Sequence, residues 1–118
     1  MNVQILVSIN SISERIGSRF LIVGGHAINA LGYSRSTGDL DLAIESKHVE
    51  QWKDCLQALG YKVYYEQPVF VQFQPNRIDA WPIDLMLLSD ETFEKMYLGK
   101  QSIQFRDCKA PIASAIHI

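Results

Sequence analysis

The chain has 118 residues, 47% of them hydrophobic and 20% charged, with a formal net charge of −2. That is the balance of one folded domain, and it excludes a disordered chain or two independent cores. Thirteen acidic residues against eleven basic ones leave no overall positive field for coating nucleic acid, although a local basic patch is compatible with these numbers. Cys55 and Cys108 stand in neither a zinc nor a redox spacing, and no apolar run approaches membrane-spanning length or follows a basic N-terminal stretch. A cytoplasmic protein with free thiols and no membrane partner is expected.

Val3, Leu6, Ile9, Ile12 and Ile16 recur at helical spacing up to Gly17, which predicts a first helix over residues 3–16. Phe20-Leu21-Ile22-Val23 is a short apolar run ended by Gly24-Gly25 and reads as a buried strand, with a short helix from His26 to Leu31 closed by Gly32. From Asp39 to Ile44 the chain alternates: Asp39, Asp41 and Ala43 fall on one side, Leu40, Leu42 and Ile44 on the other. Ser46 is a candidate cap for a helix carrying Val49, Trp52, Leu56 and Leu59 before Gly60. Tyr61 to Tyr65 and Val69 to Phe73 predict two antiparallel strands around Gln67-Pro68. Ile83 to Leu88 predicts a further strand, Ser89 or Asp90 caps a helix through Phe93, Met96 and Tyr97, and Ser102 to Phe105 suits a last short strand. Pro111 to Ile118 ends the sequence on an apolar segment that either docks into the core or a partner or begins a further helix. The mixed order predicts an α/β or α+β fold, a mixed sheet with its helices packed mainly on one face.

The chemistry concentrates between Phe20 and Glu45. A strand that ends in Gly-Gly and opens a helix exposes backbone N–H groups to which a phosphate can approach without obstruction by Cβ, and the helix dipole adds a modest attraction. By itself Gly24-Gly25 is weak, because tight strand-to-helix turns use glycine for steric reasons alone. Asp39 and Asp41, two residues apart on a strand, project to one face with their Cα atoms about 7 Å apart. Two ionised carboxylates side by side repel unless a cation neutralises them, and oxygen-only donors of this kind suit Mg²⁺ or Mn²⁺. An isolated Asp-x-Asp more commonly just faces water. Asp84 adds a third acid in the most apolar strand of the chain, where a charge is costly unless paired, metal-bound or at an exposed strand end. Asp79 is the competitor. Its odd offset from Asp84 would put the two on opposite faces of an uninterrupted strand, although Pro82 stands between them. Asp84 is favoured, with Asp79 as the fallback.

In combination these features resemble the nucleotidyltransferase superfamily that shares its catalytic domain with DNA polymerase β. Its motif is an apolar strand, Gly-Gly or Gly-Ser, a helix, and Asp-x-Asp/Glu on the next strand, matched here by Leu21-Ile22-Val23-Gly24-Gly25 and Asp39-Leu40-Asp41. Gly24-Gly25-His26-Ala27 and Arg35-Ser36-Thr37-Gly38-Asp39-Leu40-Asp41-Leu42 are similar to a small bacterial branch that includes toxin-type and abortive-infection enzymes and, more distantly, aminoglycoside nucleotidyltransferases. The resemblance is dense over residues 20–45 and thinner over 84–96.

It implies that Gly24 and Gly25 cradle the triphosphate, that Asp39 and Asp41 bind Mg²⁺ or Mn²⁺, and that Asp84 is the third acid. Arg35 and Thr37 would contact phosphate or else order their loop. The implied reaction moves a nucleoside monophosphate from a nucleoside triphosphate to a hydroxyl on a tRNA, a protein or a small molecule, releasing pyrophosphate. One catalytic domain over residues 1–118 is expected, without the C-terminal helical part that such enzymes commonly use for base and acceptor, and with a homodimer as one way to complete the cleft. A non-catalytic nucleotide-binding or protein-interaction module on the same fold is the main rival. A metal-dependent phosphohydrolase is disfavoured, because no histidine-rich cluster accompanies the aspartates.

Overall fold

The structure, a computed structural model, describes residues 3–23, 40–77, 80–105 and 108–113. Helix α1 (Val3–Ile16) is followed by β1 (Phe20–Val23) and β2 (Leu40–Glu45). A 3₁₀ turn (Ser46–His48) leads into α2 (Val49–Ala58), and then come β3 (Tyr61–Gln67), β4 (Phe70–Pro75) and β5 (Ile83–Leu88). Helix α3 (Asp90–Leu98) and strands β6 (Gln101–Phe105) and β7 (Cys108–Ile112) complete the described elements. None of the described helices is long and apolar enough to cross a membrane.

The seven strands form one mixed sheet in the order β3-β4-β5-β2-β1-β7-β6. Its centre is the parallel pair β2–β5, flanked by antiparallel β1 on one side and antiparallel β4 on the other. The period-two pattern of β2 and β5 sorts their side chains onto two faces. One face carries Phe20, Ile22, Leu40, Leu42, Ile44, Ile83 and Leu85, all buried, and packs against Leu6, Ile9 and Ile12 of α1 and Trp52 and Leu56 of α2. This is the main core. Trp52 meets Phe20 edge to face, with ring centroids 6.2 Å apart, and its indole N–H donates to the buried Ser18 Oγ at 2.8 Å.

The opposite face carries Leu21, Val23 and Ala43, which pack with Ala113 and with Phe93 of α3. Helix α3 is tied down by Arg19, which donates to Glu94 Oε2 at 2.7 Å, lies 3.7 Å from the buried carboxylate of Glu45, and stacks over the rings of Phe93 and Tyr97. The hydrogen bond to Glu94, more than the two neighbouring carboxylate charges, holds the Arg19 guanidinium above its ordinary pKa. Helices thus lie mainly on one face, and α3 is alone on the other among those described.

Most expected elements fall within a residue or two of the observed ones, and Ser89 caps α3 by accepting from the Thr92 N–H at 3.2 Å. Two details differ. Ser46 does not cap a helix: it opens the 3₁₀ turn, and α2 follows His48 with no side-chain cap bond. The cause is Glu45, buried as the last residue of β2 and held by Arg19 and Lys47, so the chain turns directly out of the strand. The apolar segment near the end of the sequence docks into the core over Ile112 and Ala113, as one of the two expectations had it, but it does so at the end of a strand that the sequence did not suggest, and residues 114–118 lie outside the described residues. Strand β7 enters the sheet between β6 and β1, runs parallel to β1, and buries Ala110, Ile112 and Ala113. Its buried Ala110 and Ile112 alternate with Lys109 and Pro111, but the run is short and a proline within it argues against a strand.

Replacing Trp52 by Phe keeps most of the buried apolar volume but removes the donor to Ser18. Stability should fall by about 1–3 kcal/mol, read as a lower urea midpoint with an unchanged slope; an unchanged midpoint would mean that the hydrogen bond contributes nothing.

Candidate active site

Where the two central strands begin, their pairing brings two acids together. Asp41 is the second residue of β2 and Asp84 the second of β5, and the parallel register sets Asp41 directly opposite Asp84. Adjacent strands lie about 4.8 Å apart, so the two carboxylates share one small space on the α3 face of the sheet. The same row continues to Val23, opposite Asp41 on β1, and to Gln72, opposite Asp84 on β4. Val23 is the residue before Gly24, so the glycine pair continues the chain from a position beside Asp41.

Local sequence explains why the acids face outward from the core. On β2, Leu40 and Leu42 bracket Asp41, and on β5, Ile83 and Leu85 bracket Asp84; all four neighbours are fully buried on the other face. The aspartates are therefore forced onto the α3 face, where both line a cleft of about 680 Å³. Helix α3 covers the part of this face over Leu21 and Ala43 and leaves the quadrant over Asp41, Asp84 and Met86 open. Among the described residues the two aspartates are the only charged side chains lining the cleft, and the remaining walls are apolar.

Of the residues singled out from the sequence, Asp41 and Asp84 are thus brought together. Asp39, Gly24, Gly25, His26, Arg35, Thr37 and the fallback Asp79 lie outside the described residues. Among the described residues no group of three or more His, Cys, Asp or Glu side chains suited to a metal occurs. The pair that does converge is an oxygen-only donor set of two carboxylates, which fits Mg²⁺ or Mn²⁺: such ions take one or two carboxylates and fill the rest of their shell with water and phosphate oxygens. Arg77 lies in the bend after β4, and Trp81 uses its backbone carbonyl to accept from the Tyr61 hydroxyl at 2.8 Å, so neither lines the cleft.

Sequence reasoning missed the apolar wall of Val69, Phe70, Met86 and Met96. The signal was present on β5, where Asp84, Met86 and Leu88 share a face by period two. The contribution of β4 was not readable, because it depends on which strand pairs with β5.

No protein-family model matches the chain, and no curated protein matches it in sequence. Its fold, in contrast, is found among solved structures. The lincosamide antibiotic adenylyltransferase LnuA, solved with lincomycin bound, superposes with a TM-score of 0.72 at 17% identity over 92% of this chain and 78% of that one. The ANT(2")-Ia structure in complex with adenylyl-2"-tobramycin gives 0.71 at 19% identity over 95% and 68%. A nucleotidyltransferase-like protein of Thermotoga maritima (TM1012) gives 0.61 at 16% identity over 99% and 81%. The chain has the nucleotidyltransferase fold, as the motif between Phe20 and Glu45 implied.

If the acid pair holds a cation, millimolar Mg²⁺ or Mn²⁺ should raise the thermal midpoint of the wild type, because a ligand of the native state alone stabilises it by mass action. The rise should disappear in Asp41→Asn/Asp84→Asn. Equal rises in both proteins would show that the ion binds elsewhere.

Proposed function

We propose that this chain is a metal-dependent nucleotidyltransferase that moves a nucleoside monophosphate from a nucleoside triphosphate to an acceptor hydroxyl and releases pyrophosphate. One observation carries the reading: on a sheet of nucleotidyltransferase fold, Asp41 and Asp84 stand opposite each other on adjacent parallel strands, inside an open cleft and beside the strand that leads into Gly24-Gly25.

The residues divide the work as follows. Asp41 and Asp84, with Asp39 two positions before Asp41, are the ligands for Mg²⁺ or Mn²⁺. Two such ions held there would supply charge neutralisation for the triphosphate and stabilisation of the attacking and leaving oxygens of an in-line displacement. Gly24 and Gly25 admit the phosphates close to backbone N–H groups, and Arg35 and Thr37 supply a charge and a hydroxyl toward the same phosphates. Asp84 would accept the proton of the acceptor hydroxyl as it attacks the α-phosphorus. The main core behind β2 and β5 keeps both acids from turning inward, so the pair is positioned before any ligand arrives.

The test is calorimetric titration of ATP, CTP, GTP and UTP, each with and without Mg²⁺, into the wild type, Asp41→Ala and Asp84→Asn. At least one triphosphate should bind only with Mg²⁺. Asp41→Ala should weaken that binding by about 100-fold or more, since even outer-shell losses cost 10–100-fold. Binding of no triphosphate by the folded wild type would sink the proposal. Binding without pyrophosphate release, across acceptors of several chemical classes, would leave a nucleotide-binding module in its place.

A further inference from the structure

The cleft contains a surface that nucleotide and metal do not require. On β5, Met86 follows Asp84 on the same face and pairs with Phe70 of β4, while Val69 sits in the turn before Phe70. Met86 is 43% exposed and Val69 62% exposed, and both line the cleft with Phe70. Large apolar side chains left accessible beside a pair of carboxylates form a patch of two unlike chemistries, one that orients a molecule and one that grips it.

The row across the sheet gives this patch a direction. The row runs from Val23 through Asp41 and Asp84 to Gln72, and the pair Phe70–Met86 lies beside it on the strands of the Asp84 side. Phosphates belong on the Asp41 side, since a polyanion against Val69, Phe70 and Met86 would lose its hydration and gain no donor. The second side is free for the other reactant. A polycationic acceptor would call for carboxylates along this wall, and a nucleic acid for lysines or arginines at its mouth. Among the described residues lining the cleft neither occurs beyond Asp41 and Asp84 themselves. A volume of about 680 Å³ falls in the range of small-molecule sites.

Resting on the transferase reading, we infer that Val69, Phe70 and Met86 seat the acceptor, and that the acceptor is a small hydroxyl-bearing molecule with an uncharged apolar face. Its apolar face lies on Phe70 and Met86 and its hydroxyl points at Asp84. In the transfer the hydroxyl oxygen bonds to the α-phosphorus, the bond from that phosphorus to the α,β-bridging oxygen breaks, pyrophosphate leaves with that electron pair, and the hydroxyl proton passes to the Asp84 carboxylate.

The test uses N-phenyl-1-naphthylamine, an uncharged apolar fluorophore, as a probe of the wall, with Mg²⁺-triphosphate affinity measured in parallel on the same proteins. Wild type should bind the probe with a rise in fluorescence. Met86→Lys should weaken probe binding at least 10-fold while leaving triphosphate affinity within about two-fold. Val69→Lys, at a more exposed position, should act in the same direction and serves if Met86→Lys does not fold. Any of these results would overturn the assignment of the wall: no probe binding by the wild type; equal binding by the lysine variants; loss of triphosphate affinity in those variants, which would assign the wall to the nucleobase; or a wild-type dimer that Met86→Lys dissolves, which would assign it to a second copy of the chain. Pyrophosphate release driven by tobramycin but by no uncharged hydroxyl compound would overturn the acceptor class. Failure of the wild type to bind any triphosphate, with the probe still bound at Met86, would identify the transferase reading as the one at fault.

Discussion

The parallel register between β2 and β5 is the constraint on which the site depends. It is set from behind, by Leu40, Leu42 and Ile44 on one strand and Ile83 and Leu85 on the other, all fully buried against α1 and α2. Because side chains alternate with period two, a slip of one residue would turn Asp84 into the core and bring apolar side chains out in its place. Burying an ionised carboxylate without a partner costs several kcal/mol, so the hydrophobic face enforces the polar one. Asp41 meets Asp84 because their neighbours have nowhere else to go.

That arrangement works only if the face carrying the acids stays partly open, and α3 decides how much of it does. Phe93, Met96 and Tyr97 close over Leu21, Val23 and Ala43, and Arg19 fastens the helix through Glu94 while stacking on two of its rings. The other half, from Asp41 across Asp84 to Phe70, is left as a cleft. The β3–β4 hairpin contributes Val69 and Phe70 to its far wall, so one sheet supplies both the acid pair and the apolar surface beside it. In the proposed reaction, chemistry and recognition would rest on the same rigid element, a suitable support for holding two reactants in line.

Much of this was legible in the amino-acid sequence, for identifiable reasons. The helix over 3–16 and the strand at 83–88 follow from patterning that buries one face more than the other, and the strand at 20–23 follows from an unbroken apolar run, because both of its faces are buried. The Ser89 cap follows from local chemistry alone. Ser46 looked equally suitable and failed, since the buried Glu45 ahead of it, held by Arg19 across the fold, controls how the chain leaves β2. Strand β7 was missed because its pairing with β1 joins residues some ninety positions apart and its own residues, with Lys109 and Pro111 among them, carry little β signal.

The sequence by itself determined the ingredients of the candidate site: two acids in apolar strands, a glycine pair after an apolar run, and a spacing that puts Asp41 and Asp84 each on the face opposite its leucine and isoleucine neighbours. Those are properties of short segments, governed by the two-residue repeat of a strand. Only the tertiary structure decided that β2 and β5 are neighbours, that they run parallel with Asp41 opposite Asp84, and that Val69, Phe70 and Met86 form the wall beside them. Strand order and register arise from packing both faces of the sheet at once, and that condition is satisfied by the whole fold and by no segment alone.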